Sequence, residues 1–93
     1  MSVIVKIPTP LRRVTKGLDS VTLNTTTVSE CVEQLEAQFP GIKERLMDEK
    51  GELRHFVNVY VNGEDVRFLN GLDTKLKTGD EISIVPAVAG GRR

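Results

Sequence analysis

Few residues in this sequence have the type and spacing that catalysis needs. The chain contains one cysteine, Cys31, and one histidine, His55. A reactive thiol needs a neighbouring base and exposure to solvent, and the usual zinc sites combine several Cys and His ligands. The adjacent acids Asp48-Glu49 and Glu64-Asp65 fall in segments interpreted as exposed loops. We therefore expect no catalytic residue, no metal site and no enzymatic activity.

The C-terminal segment has a composition that suits a different task. Ala89, Gly90 and Gly91 have little or no side chain to pack, and glycine loses the most backbone entropy when it becomes ordered. Fully extended, residues 87–91 span roughly 17 Å, which is long enough to enter a narrow channel in another protein. The sequence predicts a folded domain of residues 1–86 and a tail of residues 87–93. A frayed end without a role is the alternative.

Length and composition limit the class of protein. The chain has 93 residues, which is enough for one domain. Its 13 basic and 13 acidic residues cancel, so charge directs it neither to nucleic acid nor to a membrane surface. No apolar run approaches the roughly 20 residues that span a bilayer, and the N-terminus lacks signal-peptide features. With a single cysteine, these observations predict a cytoplasmic protein with no nucleic-acid or membrane partner.

The hydrophobic pattern predicts which elements form the domain. A capping-box pattern at Thr27 and Glu30 predicts the start of a helix over residues 27–39. The predicted strands are residues 3–7, 20–23, 56–61, 66–68 and 81–85. One helix covering one face of a mixed sheet gives an α+β domain in two layers. If the first and last strands pair in parallel, the arrangement is the β-grasp fold of ubiquitin.

Strand alternation predicts a surface for binding a partner. Side chains alternate between the two faces of a sheet. With the valines of residues 57–61 facing the helix, the opposite face carries Ile4, Phe56, Tyr60 and Val85. An apolar patch rimmed by polar residues is typical of a docking surface. Scattered surface hydrophobic residues, which are common, are the alternative.

Several segments resemble one protein family. Residues 84–91, IVPAVAGG, and residues 54–68, RHFVNVYVNGEDVRF, resemble the ubiquitin-like sulfur carriers of the MoaD/ThiS family. Residues 7–12 and 44–48 are similar to the CysO-like branch of that family, and the resemblance covers essentially the whole chain.

The resemblance implies a function for the tail. In this family a ubiquitin-activating-type enzyme uses ATP to adenylate the terminal glycine, which here is Gly91. Sulfide then replaces AMP, and the resulting thiocarboxylate delivers sulfur to a biosynthetic enzyme. The CysO-like branch implies cysteine or homocysteine and methionine synthesis, while other branches supply molybdopterin, thiamine or tRNA thiolation. The carrier itself binds no cofactor.

The sequence departs from the family pattern after Gly91. Carriers in their active form end at this glycine, whereas here Arg92 and Arg93 follow. The resemblance implies cleavage between Gly91 and Arg92, and a JAMM-type zinc metallopeptidase trims some relatives. A vector-derived extension is a further possibility. Two other functions stay open: a protein modifier joined to lysine side chains through Gly91, and an interaction module whose tail is never processed.

Overall fold

The sheet and helices follow the predicted order. The structure of the protein, a computed structural model, describes residues 2–86. Its strands are β1 (Ser2–Lys6), β2 (Ser20–Asn24), β3 (Val57–Val61), β4 (Glu64–Asp65) and β5 (Glu81–Pro86). Its α-helices are α1 (Val28–Gln38) and α2 (Ile42–Leu46), and short 3₁₀ turns occupy Thr9–Leu11, Val66–Phe68 and Gly71–Asp73.

The five strands form one mixed sheet in the order β2-β1-β5-β3-β4. β1 pairs with β5 in parallel, and the other neighbouring strands pair antiparallel. The last strand therefore lies at the centre of the sheet, held on both sides. The predicted α+β architecture, with parallel pairing of the first and last strands, is confirmed.

The core lies between the sheet and α1. Alternate strand residues are buried, as the period-two pattern predicted, and they form one cluster with the apolar side of the helix. From the strands this cluster includes Val3, Val5, Val57, Val59, Val61, Ile82 and Ile84, and from α1 it includes Val28, Cys31, Val32 and Leu35.

The predicted helix start is correct, with one difference in its cap. The backbone N–H of Glu30 donates to Oγ1 of Thr27 at 3.1 Å. The carboxylate of Glu30 accepts from the backbone N–H of Thr26 at 2.6 Å, one residue earlier than a capping box requires. Gly41, at φ +103° after the helix, adopts a left-handed conformation that suits glycine.

The predicted strand over residues 66–68 is wrong. The return strand is β4, and the chain turns directly into a 3₁₀ turn. Oδ1 of Asp65 accepts from the backbone N–H of Arg67 at 2.8 Å, which caps the turn. Strand alternation would place Val66 and Phe68 on the same face, yet Val66 is fully buried and Phe68 is 86% exposed. Burial of Val66 and the Asp65 cap together favour a turn over an extended strand.

Candidate functional site

The end of β5 is the point from which the C-terminal segment continues. Pro86 pairs with Val57 at the last position of the β3–β5 ladder. The predicted tail residues Ala89, Gly90 and Gly91, and the predicted cleavage site between Gly91 and Arg92, lie outside the described residues. β5 pairs with β1 through residues 81–83 and with β3 through residues 82–86, so β3 sets the position of its last residue, Pro86.

A small groove lies beside Pro86. It has a volume of about 270 Å³. Buried Leu46 and Ile84 line its base, and Phe56, which is 46% exposed, lies at its rim. Its other lining residues are Pro10, Leu11, Arg45, Arg54, Val57 and Pro86. The groove combines an apolar base with two arginine side chains.

A larger hollow of about 640 Å³ lies between the two helices and the following loop. Two of the four acidic residues that line it, Glu36 and Asp48, bind backbone N–H groups. Glu36 accepts from the backbone N–H groups of Gly41 and Lys43. Asp48 accepts from those of Lys50 and Glu52. Pro86 does not line this hollow. We therefore consider the smaller groove to be the better candidate for a functional site.

The predicted docking face is only partly a continuous surface. Ile4 is 40% exposed and Val85 44% exposed, and Tyr60 is half-buried. In the sheet register, Ile4 lies between Thr22 and Glu81. Tyr60 lies opposite Ser83, and Val85 lies opposite Asn58. Polar residues therefore separate the apolar ones. A docking role for this face stays a prediction.

Phe56 occupies a different position from the other three residues. The strand predicted over residues 56–61 begins at Val57, so alternation does not set the orientation of Phe56. Phe56 instead lines the groove together with Leu46 and Ile84, which belong to the core. The structure thus places this aromatic ring in the groove beside Pro86, the last described residue.

Asn62 and Asp80 join β3 to the start of β5. Asn62, at φ +53° in the turn after β3, donates through Nδ2 to Oδ1 of Asp80 at 3.0 Å. Its Oδ1 accepts from the backbone N–H of Glu81 at 3.0 Å. The pKa of Asp80 lies below its ordinary value. The main cause is the hydrogen bond from Asn62, and the backbone N–H and the charge of Lys77 add to it. Sequence reasoning identified Asn62 only as a turn residue.

Arg67 completes the edge of β3 that the short β4 leaves uncovered. Its guanidinium donates to the carbonyl oxygens of Val57 at 2.8 Å and Arg54 at 2.9 Å, and to Oδ1 of Asn58 at 2.7 Å. These bonds stabilise the segment that leads into β3 and carries Phe56. The sequence contained no signal for this role, because it depends on the turn at Val66–Phe68.

The structure places Cys31 in the core and His55 on the surface. Cys31 is 2% exposed, and burial raises the pKa of its thiol to about 12, which keeps it protonated and unreactive at neutral pH. His55 is exposed in the loop before β3. Within residues 2–86, no group of three or more His, Cys, Asp and Glu side chains is arranged to hold a metal ion. In the same range, no helix is both long and apolar enough to cross a membrane.

The profile of the ThiS family matches residues 5–91, which is nearly the entire chain. The chain belongs to the ThiS family. It is 52% identical over 93 residues to the sulfur carrier protein CysO of Mycobacterium tuberculosis, in a match covering 98% of this chain and 100% of that protein.

Solved structures of ThiS-family relatives share the fold. A chain of the BexX/CysO complex from Amycolatopsis orientalis superimposes with a TM-score of 0.90 at 50% identity, covering 96% of this chain and 99% of the other. SAMP1 from Haloferax volcanii gives a TM-score of 0.82 at 29% identity, covering 98% of this chain and 100% of the other. This ThiS-family chain has the ubiquitin-like β-grasp fold expected from its sequence.

Proposed function

We propose that this protein is a sulfur carrier for cysteine or homocysteine and methionine synthesis. A ubiquitin-activating-type enzyme adenylates Gly91, and sulfide converts the adenylate to a thiocarboxylate. The single observation that carries the proposal is the 52% identity to the sulfur carrier protein CysO along the full length of both chains. The family match also extends through Gly91.

The physical properties of the chain suit a carrier. A carboxylate becomes reactive only when one oxygen is made a good leaving group, and ATP in the activating enzyme supplies that group. The carrier has to present its terminal glycine on a thin segment, because only glycine lets enclosing walls approach the backbone closely. It needs no catalytic residue and no bound cofactor of its own. The central position of β5 supports this role by giving the segment a rigid origin.

Activation requires processing of the chain. Gly91 is followed by Arg92, so its carbonyl belongs to a peptide bond and no carboxylate is available there. A peptidase, of the JAMM-type zinc class that the family resemblance suggests, cuts between Gly91 and Arg92. The trimmed carrier then meets two further partners in the cytoplasm, the adenylating enzyme and a sulfur-accepting biosynthetic enzyme. A CysO relative forms a complex with BexX, which supports the expectation of protein partners.

The test is activation in a purified system. A chain ending at Gly91 is mixed with its cognate activating enzyme, ATP and sulfide, and intact mass is measured. It should gain the mass difference between sulfur and oxygen, whereas the chain ending at Arg93 should gain nothing. Gly91→Ala in the trimmed chain should slow the reaction sharply, because a Cβ obstructs approach to the reacting carbon. Equal activation of both lengths contradicts trimming, and failure of both contradicts the carrier function.

A protein modifier is the second candidate. The structural similarity to SAMP1, a small archaeal modifier protein, favours it, although at lower identity than the CysO relatives. In cells, a modifier forms isopeptide bonds between Gly91 and lysine side chains of other proteins. Larger conjugates that disappear in a Gly91→Ala strain would support this function, and their absence would exclude it.

A further inference from the structure

The groove beside Pro86 is apolar at its base and positively charged at its rim. Its charged lining residues are Arg45 and Arg54, and no acidic residue lines it. Nε of Arg54 donates to the carbonyl oxygen of Glu44 at 3.0 Å. Arg54 also lines the larger hollow, where its charge acts on Asp48, so Arg45 is the groove cation that is left for a partner. Arg45 is exposed, and no hydrogen bond or ion pair joins its side chain to another of the described residues. A partner that fills this groove therefore has apolar character flanked by negative charge.

The groove is large enough for one large side chain. Its volume of about 270 Å³ is close to the lower end of the roughly 300–1,000 Å³ typical of small-molecule sites. Binding hot spots on proteins commonly consist of one large side chain inserted into a pocket of the partner. Phe56 at the rim, 46% exposed, offers an aromatic surface for that contact.

The position of the groove indicates which partner occupies it. Pro86 lines the groove, and five residues separate it from the reactive carbon of Gly91. Because an extended chain advances roughly 3.3–3.6 Å per residue, an enzyme that holds Gly91 lies within about 17 Å of Pro86. Such an enzyme is therefore close enough to contact the body of the carrier beside Pro86, where this groove lies.

We propose that the groove is a docking site for the enzyme that adenylates Gly91. The enzyme inserts one large apolar side chain between Phe56 and Leu46, and a carboxylate beside that side chain pairs with Arg45. This inference rests on the proposed carrier function and adds a docking surface distinct from the outward face of the sheet. The activating enzyme then recognises the carrier at the groove beside Pro86 and holds the folded domain there while Gly91 enters the active site.

The experiment compares KM and kcat for sulfur acquisition by chains ending at Gly91. The chain ending at Gly91 is the reference, and every variant is made in that chain. Arg45→Glu should raise KM about tenfold, as for loss of a close interfacial charge pair, with kcat nearly unchanged because the pair acts in docking and not in the chemical step. Arg45→Lys retains the charge and should stay close to wild type. Phe56→Ala should also raise KM, with thermal unfolding measured to verify the fold.

Lys75→Glu is the matched control. It makes the same change of charge on an exposed lysine near the start of α1, where Lys75 forms a β-bridge with Thr27, at the opposite end of the sheet from Pro86. Its KM should remain at the wild-type value. If Arg45→Glu and Phe56→Ala have the KM of the wild type, the groove proposal is wrong. The carrier function would still hold in that case, because the wild-type chain acquires sulfur. An effect of Arg45→Glu on sulfur delivery but not on activation would also overturn it.

Discussion

The side-chain amide of Asn62 donates a 3.0 Å hydrogen bond to the carboxylate of Asp80, 18 residues later in the chain. The same amide accepts from the backbone N–H of Glu81, and the second carboxylate oxygen of Asp80 accepts from the backbone N–H of Lys77 at 2.8 Å. The turn that ends β3 is thereby joined to the residue that precedes β5. Because β5 leads to the C-terminal segment, this pair helps to fix the strand that carries it.

Asn62→Gly tests the contribution of this pair. Glycine tolerates the left-handed conformation of residue 62 at φ +53°, so the change removes the amide without adding backbone strain. The loss of two hydrogen bonds, one to a carboxylate, should lower the free energy of unfolding by about 1–3 kcal/mol in urea titrations. Asn70→Gly, at an exposed position with no described side-chain hydrogen bond, is the control. Equal losses in both variants would contradict the assigned role of Asn62.

The depressed pKa of Asp80 predicts a dependence of stability on pH. Its causes are, in order, the Asn62 hydrogen bond, the Lys77 backbone N–H and the Lys77 charge. The stabilisation is fully present above the ordinary aspartate pKa of about 4 and is lost as the pH falls through the lower pKa of the folded state. Asp80→Asn should therefore be less stable than wild type at pH 7 and lose less stability on acidification. Asp80→Asn should still lose some stability at low pH, because the pKa of Asp48 is also lowered, chiefly by its hydrogen bond from the Glu52 backbone.

Urea titrations between about pH 2 and pH 7 measure this effect. Asn62→Gly, like Asp80→Asn, should lose less stability than wild type as the pH falls. The reason is that it removes the largest cause of the lowered pKa of Asp80. If Asp80→Asn loses as much stability on acidification as wild type, the carboxyl of Asp80 is not responsible for the pH dependence.

Arg67→Ala should open the edge of β3. The change removes the donors to the carbonyl oxygens of Val57 and Arg54, and we expect a loss of about 1–3 kcal/mol in the free energy of unfolding. Arg67→Lys should rescue little, since a single ammonium group does not reproduce the planar fork of guanidinium donors. Arg13→Ala, at an exposed arginine without a described hydrogen bond, should be nearly neutral. Full rescue by lysine would contradict the geometric argument.

Val59→Ala and Tyr60→Ala test the two faces of the sheet. Val59 is 2% exposed in the core, and Tyr60 is half-buried on the outward face. Val59→Ala should cost about 2 kcal/mol, from lost burial and the cavity that remains. Tyr60→Ala should cost less and should weaken binding to the activating enzyme if the outward face contributes to docking. Thermal unfolding and binding titrations separate these effects, and unfolding of the domain by Tyr60→Ala would contradict the orientation assigned to that residue.

Cys31 should resist thiol reagents in the native protein. Its thiol lies in the core, and burial raises its pKa to about 12. Reaction with a disulfide reagent at pH 8 should be slow and should accelerate greatly in urea, since the unfolded chain exposes a cysteine of ordinary pKa, about 8.5. Rapid reaction without denaturant would indicate that α1 opens readily or that the thiol is accessible.

The sequence by itself determined most of the elements, the buried faces of the strands and of α1, and the family. Periods of two and 3.6 residues reflect local backbone geometry, so the burial of Val57, Val59 and Val61 and the apolar side of α1 were predictable. The start of α1 at Thr27 was predictable for the same reason, since its capping residues are near neighbours in the chain. The importance of Gly91 came from family resemblance, and its place outside the described residues leaves that assignment a prediction.

The tertiary structure decided how distant residues meet. The bonds from Asn62 to Asp80 and from Arg67 to Val57 join positions 18 and 10 residues apart, and no local pattern specifies such contacts. Residues 66–68 turn instead of forming a strand because burial of Val66 and the Asp65 cap outweigh local β propensity. The groove beside Pro86 likewise arises where β1, α2 and β5 end and β3 begins, so Pro10, Arg45 and Phe56 share one surface only after the chain has folded.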